Sequence, residues 1–138
     1  MKIQKNPNGW SCLPTALAMA LGTPVADIIK DIGHDGSEIW FPGKPEPYCR
    51  RGFHTSEILM YLWNKHRLFA SIMPMEVKLY SSQTDTVGHT LFNDKERAYR
   101  LLSWSRTIIM EPNHAVFWDG EKAYDPRGYE RTIDSLNI

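Results

Sequence analysis

The sequence predicts an α+β domain, with helices in the first half of the chain and mostly antiparallel strands in the second. An apolar run at 13–21 has the composition of a buried helix, and a second run with apolar residues at helical spacing follows it. Near the end, three short apolar runs at 106–111, 114–118 and 121–125 are separated by turn residues, which is typical of strands joined by hairpins.

Length and charge favour a single domain over residues 1–138. The chain has 138 residues, with 16 basic and 16 acidic side chains. This balance argues against a nucleic-acid or membrane-surface partner, for which a basic excess is typical. The start has no apolar signal segment, and no apolar run approaches the roughly 18 residues of a membrane span. We therefore expect a cytoplasmic protein without a cofactor, and the composition leaves its oligomeric state open.

Three helices are predicted in the first half of the chain. In the first, at 13–21, Pro14 falls in the opening turn, where a missing N–H costs nothing, and Gly22 ends the helix. A second, amphipathic helix ends at Gly33. A third begins near Thr55, where apolar side chains again recur at helical spacing.

The remaining segments are less regular. Residues 34–53 are rich in proline and glycine, but their aromatic side chains favour an ordered flap over a disordered loop. A strand is predicted at 68–73, a polar loop at 81–89 and a helix at 93–104. The last dozen residues have no clear pattern.

Cys12 lies directly before the first predicted helix. Backbone N–H groups at a helix start are unpaired and carry partial positive charge, so they stabilise a thiolate and should lower the pKa of the Cys12 thiol. The alternative at this position is a small, buried, unreactive side chain. A disulfide with Cys49 is arithmetically possible, but two cysteines are too few for a disulfide scaffold.

A predicted hairpin supplies a base for this thiol. Asp119-Gly120 is a dipeptide preferred in two-residue hairpin turns, and such a turn would place His114 directly opposite Asp125. An opposed carboxylate would fix the tautomer of the imidazole and stabilise its charged form. Together with Cys12, the pair would form a nucleophile, a base and an orienting acid. The alternative is a surface His–Asp pair with no chemical role.

Three segments resemble a known family. Cys12-Leu-Pro-Thr-Ala-Leu-Ala-Met-Ala-Leu-Gly22 resembles the nucleophile helix of bacterial papain-like cysteine peptidases, most closely those that cut double-glycine leader peptides from bacteriocins, and their stand-alone relatives. His114 and Asp125-Pro126 resemble the later part of that family's site, and the segment 52–59 resembles the start of another of its helices. The resemblance implies a papain-like fold, a thiol mechanism, and Cys12, His114 and Asp125 as the triad.

Two positions depart from the family's pattern. The family has Gly directly after its cysteine, where this chain has Leu13. It also has Gln six residues before the cysteine, where the amide helps to bind the oxyanion. Here Asn6 holds that position and Gln4 lies two residues earlier. We favour Gln4 for its longer reach, and expect the Cys12 N–H to be the second donor.

The resemblance implies hydrolysis of a peptide or isopeptide bond in a peptide or protein substrate. Trp10, Trp40 and Phe41 are candidate walls of the substrate cleft, and core or loop packing is an equal alternative for them. The same triad would also serve a deamidase, a transglutaminase or an acyltransferase. The departures at Leu13 and Asn6 leave open a papain-like binding module without catalysis.

A metal site is a weaker interpretation. Cys12, Cys49 and His54 would be among its ligands, but no close ligand pair with the usual zinc spacing accompanies them. We therefore expect no metal.

Overall fold

The structure, a computed structural model, describes residues 2–70, 106–111 and 113–136, which form three α-helices and one four-stranded antiparallel sheet. This confirms the predicted α+β class. The helices are α1 (Cys12–Leu21), α2 (Val25–Ile32) and α3 (Thr55–Tyr61), and a π-helical turn at Leu62–His66 continues α3. The strands, adjacent in chain order, are β1 (Thr107–Glu111), β2 (His114–Trp118), β3 (Ala123–Asp125) and β4 (Tyr129–Arg131), followed by a 3-10 turn at Ile133–Ser135.

α1 is the most buried helix, because every residue from 13 to 19 is buried. Gly22 ends it in the left-handed conformation, with φ of 69°, as the sequence predicted. Within the described residues, no single helix has the length and apolarity to cross a membrane. α1 and α2 reach that length only as a pair bent by 120°.

The start of α2 is capped by a side chain from far along the chain. Gln4 Oε1 accepts the Val25 N–H at 2.8 Å, and Gln4 Nε2 donates to the Thr23 carbonyl oxygen at 2.6 Å. The N-cap residue, Pro24, supplies no side-chain hydrogen bond, so the orphan N–H of the first turn takes its acceptor from Gln4. These bonds join the N-terminal segment to the turn between α1 and α2.

The sheet has two apolar faces, because side chains alternate along each strand. The face toward α1 contributes Ala115, Phe117 and Tyr124 to a core shared with α1, α2 and α3. The opposite face forms a second cluster, made of Ile109, Val116, Trp118, Ala123 and Leu136. The position of a residue along its strand therefore decides which core it faces.

The connection between β2 and β3 differs from the prediction. Phe117 pairs with Tyr124 and Trp118 with Ala123, so the loop consists of the four residues 119–122. The predicted two-residue turn, which would place His114 directly opposite Asp125, is wrong.

The Asp119 carboxylate accounts for the wider loop. Its Oδ1 accepts the N–H groups of Glu121 at 2.9 Å and Lys122 at 3.0 Å, and its Oδ2 accepts the Tyr124 hydroxyl at 2.9 Å. Asp119 therefore closes the loop with its side chain.

Within the segment predicted at 34–53, residues 36–53, here called the flap, fold back on themselves through main-chain hydrogen bonds. Ile39 and Arg50 form an isolated antiparallel bridge, and the Gly52 N–H donates to the Gly36 carbonyl at 3.0 Å. Gly36 has φ of 78°, and a Cβ added there would lie 3.0 Å from the Phe53 ring. The flap is ordered, as predicted, and its narrow base requires glycine at position 36.

Three predicted elements lie wholly or partly outside the described residues. Residues 68–70 are not in a strand, and the rest of the strand predicted at 68–73 falls outside. The loop predicted at 81–89 and the helix predicted at 93–104 fall outside as well.

Candidate functional site

The His114 imidazole and the Asp125 carboxylate are joined by a hydrogen bond. His114 Nε2 lies 3.0 Å from Asp125 Oδ1, and the side chains are 11% and 0% exposed. Extended by one residue, the observed register places Asp125 opposite Val116. Asp125 is therefore the diagonal neighbour of His114. Because the register differs from the predicted one by two residues, both side chains keep the same face of the sheet. The structure thus brings this pair together through a different register.

Asp125 is held in place by two further donors. The Arg127 N–H donates to Oδ1 at 2.9 Å, and Arg131 Nη1 donates to Oδ2 at 3.1 Å. Burial alone would raise the pKa of Asp125. The hydrogen bonds from Arg127, His114 and Arg131 outweigh it, so the pKa lies below its ordinary value. Asp125 is therefore an ionised, fixed acceptor for one nitrogen of the imidazole.

A turn built by Asn8 positions Cys12 at the start of α1. Asn8 Oδ1 accepts the Trp10 N–H at 2.9 Å and also the Ser11 hydroxyl. Ser11 is fully buried, and its carbonyl accepts both the N–H and the hydroxyl of Thr15 in the first turn of the helix. These bonds fix the backbone on both sides of the cysteine.

The Cys12 sulfur lies beside three backbone N–H groups, those of Ala115, Leu13 and Cys12 itself, which favour the thiolate. Burial acts in the opposite direction and is the larger effect, so the pKa of the Cys12 thiol is raised. The predicted lowering of this pKa is wrong, because the helix start is more dehydrated than its position in the sequence indicated. Cys12 therefore needs a neighbouring base to lose its proton at neutral pH.

His114, the residue directly before Ala115, is the candidate base for this thiol. The peptide group whose N–H lies beside the sulfur joins His114 to Ala115. α1 packs on the Ala115 face of the sheet, and His114 projects from the opposite face as the first residue of β2. Sulfur and imidazole therefore flank the same peptide group at the end of the strand. Since Asp125 binds Nε2, Nδ1 is the nitrogen left for a thiol proton.

The structure does not support Gln4 as an oxyanion donor. Both ends of its amide are bound at the turn before α2, to Thr23 and Val25. Asn6 lies closer to the pair, because its N–H donates to the Pro126 carbonyl at 2.8 Å, directly after Asp125. Only its Nδ2 group can donate to an oxyanion, since Oδ1, which is buried without a hydrogen-bond partner among the described residues, is an acceptor. Asn6 is therefore the better candidate for the oxyanion, and the preference for Gln4 is corrected.

The three aromatic residues predicted to line the cleft lie in or beside the flap. Trp40 and Phe41 are 52% and 50% exposed, so neither is a core residue. Trp10 is partly buried, and the Arg50 guanidinium lies 4.5 Å from its ring centroid. Trp10 thus connects the turn before Cys12 to the flap.

The flap reaches both halves of the site. On the cysteine side, Asn8 Nδ2 donates to the Asp35 carbonyl at 2.9 Å, just before the flap begins. On the histidine side, Asn113 Nδ2 donates to the Tyr48 hydroxyl at 3.3 Å, one residue before His114. The flap therefore runs from the residues before the thiol to the residue before the imidazole.

Sequence reasoning missed two charged groups of residues. One is an ion-pair cluster in which Glu57 bonds both His34, at 2.7 Å, and Arg51, joining α3 to the base of the flap. The other is the pairing of Arg131 with Asp125 and with Glu111. Each contains one pair far apart in sequence, His34–Glu57 across 23 positions and Arg131–Glu111 across 20, and no local motif indicates either one.

Both cysteines are free, and Cys49 is buried in the flap. In the described part of the chain, no three His, Cys, Asp or Glu side chains are grouped as metal ligands would be. Comparisons of the chain with known families, with curated proteins and with solved structures find no match. The interpretation of the site therefore depends on its own geometry and on the sequence resemblance.

Proposed function

We propose that this chain is a papain-like thiol hydrolase that cleaves a peptide or isopeptide bond through an acyl-enzyme. The proposal depends on one observation. The buried Asp125 carboxylate holds the His114 imidazole, and the next residue, Ala115, places its N–H beside the Cys12 sulfur at the start of α1. Nucleophile, base and orienting acid are the parts that thiol acyl transfer requires.

In the proposed mechanism, His114 Nδ1 takes the Cys12 proton and the sulfur attacks the carbonyl carbon of the substrate. The Cys12 N–H and the Asn6 amide donate to the oxyanion. The imidazolium returns its proton to the leaving nitrogen, the C–N bond breaks, and a thioester remains. Water, deprotonated by His114, then releases the acid and restores the thiol. Asp125 accepts from Nε2 throughout.

The raised pKa of Cys12 is consistent with this mechanism. A partly buried thiol with a raised pKa remains protonated until the imidazole takes its proton, so thiolate and imidazolium form together. The proposed substrate is a peptide or a segment of a protein, as the sequence resemblance implies, and the exposed aromatic side chains of the flap offer apolar surface for it.

The first test is the alkylation of Cys12 by iodoacetamide at pH 7, followed by intact-mass spectrometry. His114→Ala should slow the reaction about tenfold or more, since a tenfold change corresponds to one pKa unit of thiolate population. His66→Ala is the matched control, because His66 contacts Tyr61 outside the site. Cys12→Ser identifies any alkylation of the buried Cys49. Equal rates in the wild type and His114→Ala would refute the proposed base.

The second test is cleavage of a peptide library by the wild type and by Cys12→Ser. Products that appear only with the wild type support hydrolysis. Mass gain on an amine acceptor, or loss of an amide nitrogen without cleavage, would indicate acyl transfer or deamidation by the same triad.

The burial that raises the pKa of Cys12 favours a second candidate, a papain-like binding module without catalysis. It predicts that Cys12→Ser keeps the full biological effect and that no peptide is cleaved.

A further inference from the structure

Arg131 connects two carboxylates beside the candidate triad. Its Nη1 lies 3.1 Å from Asp125 Oδ2 and 2.5 Å from Glu111 Oε1, and its Nη2 lies 3.1 Å from Glu111 Oε2. The guanidinium also donates to the Ser135 carbonyl oxygen. The Arg131, Glu111 and Asp125 side chains are 13%, 7% and 0% exposed. The arrangement is therefore a nearly dehydrated network, in which charge-assisted bonds are strong and geometrically specific.

Strand order places this network around His114. Glu111 on β1 pairs directly with His114, and Asp125 on β3 bonds the imidazole. Arg131 on β4 closes the group by reaching Asp125 and Glu111. By strand alternation, all four side chains lie on the face of the sheet opposite α1. His114 thus faces a negative side chain from each neighbouring strand, with one cation between them.

The charges of this network do not cancel. Two carboxylates and one guanidinium leave one net negative charge at neutral pH, and a protonated His114 brings the sum to zero. Hydrogen bonding to Glu111 raises the pKa of Arg131, so the cation is permanent. The charge of Asp125 also acts on Cys12, where it opposes the thiolate.

We propose that Arg131 and Glu111 are positioning residues of the thiol site, which together fix Asp125 and set the charge that His114 and Cys12 face. The inference rests on the proposed function of the triad. Arg131 anchors the carboxylate oxygen that the imidazole does not use. Glu111 shares Arg131 Nη1 with Asp125 and also binds Nη2, so it limits how far Arg131 neutralises Asp125.

The test is the pH profile of Cys12 alkylation in three variants. Arg131→Met removes a cation, which disfavours the thiolate and favours the imidazolium. The parts of the rate–pH curve that report ionisation of Cys12 and of His114 should both move to higher pH, by about half a unit. Glu111→Gln removes an anion and should move the profile to lower pH by a similar amount. The double variant changes no net charge and should return the profile to the wild-type position.

An exposed ion pair between the β2–β3 loop and β4 provides the matched control. Lys122 Nζ lies 2.8 Å from Glu130 Oε2, with side chains 41% and 49% exposed. Lys122→Met and Glu130→Gln make the same changes of charge, but solvent screens them, so neither should move the profile. Opposite shifts in the network variants, and none in these two, are the expected result.

Shifts in the same direction, or none, would overturn the proposal, because a purely structural role moves both variants alike. If Arg131→Met does not fold, the shift of Glu111→Gln to lower pH, measured against the wild type and the Lys122 and Glu130 variants, still decides the question. Peptide cleavage by the wild type is measured separately. Cleavage without opposite shifts refutes the positioning role alone, whereas shifts without cleavage refute the hydrolase alone.

Discussion

Asp125→Asn should destabilise the protein by about 3 kcal/mol, because it removes the charge at the centre of a buried network. The asparagine can keep Oδ1 as an acceptor for His114 and the Arg127 N–H, which donate at 3.0 and 2.9 Å. Its NH₂ group then faces Arg131 Nη1, which now donates to Oδ2 at 3.1 Å. The amide N–H and the Arg131 N–H would then point at each other. The Arg131 guanidinium would also lose one of its two carboxylate partners.

Urea unfolding followed by circular dichroism measures this loss. With a slope of about 2 kcal/mol per molar urea, the midpoint should fall by about 1.5 M. Glu121→Gln, which removes an exposed carboxylate from the same hairpin, should change the free energy of unfolding by less than about 0.5 kcal/mol. A midpoint shift below about 0.3 M for Asp125→Asn, with an unchanged slope, would refute the reasoning.

The difference should also depend on pH. Because the pKa of Asp125 is lowered in the folded state, its stabilisation is fully present above the unfolded value of about 3.9. It is lost as the pH falls through the lower folded value. The gap between the wild type and Asp125→Asn should therefore shrink in acid.

Three further results are expected. Gly36→Ala should lower the free energy of unfolding by about 1–2 kcal/mol, since φ is 78° and the new methyl would press on Phe53. Gln4→Ala should cost about 1 kcal/mol by uncapping α2, without changing the rate of Cys12 alkylation. Native Cys49 should react with iodoacetamide far more slowly than Cys49 in urea, because it is only 6% exposed.

Each of these three predictions has a control variant or a result that would contradict it. Gly43→Ala is the control for Gly36, because a Cβ there meets nothing within 4 Å. Slower alkylation in a stable Gln4→Ala would restore Gln4 as a candidate oxyanion donor. Equal reactivity of Cys49 in native and unfolded protein would contradict its burial.

Alternation explains why the predicted His114–Asp125 pair survived an error in the turn. The turn proved two residues longer than expected, but an even shift in register keeps each side chain on its face. The turn length itself was not predictable, because Asp119 closes the loop with side-chain bonds that reach as far as Tyr124. An odd shift would have separated the pair.

The errors concern contacts made across the fold. Gln4 was favoured for its reach, but it caps a helix 21 residues away. Arg131 was missed because it binds Glu111 across 20 residues. The pKa of Cys12 was misjudged because a helix start indicates the local dipole and not how much water the neighbouring strand displaces.

The contact between Cys12 and the strand that begins at His114 joins two distant stretches of sequence, since 102 positions separate these residues. At a synthesis rate of about 5–20 residues per second, the ribosome adds the imidazole roughly 5–20 seconds after the thiol. Throughout that interval a nascent chain carries an ordinary cysteine with no partner base. The chemistry proposed for this site would therefore be switched on only after His114 has left the ribosome and the strand that begins there packs against the start of α1.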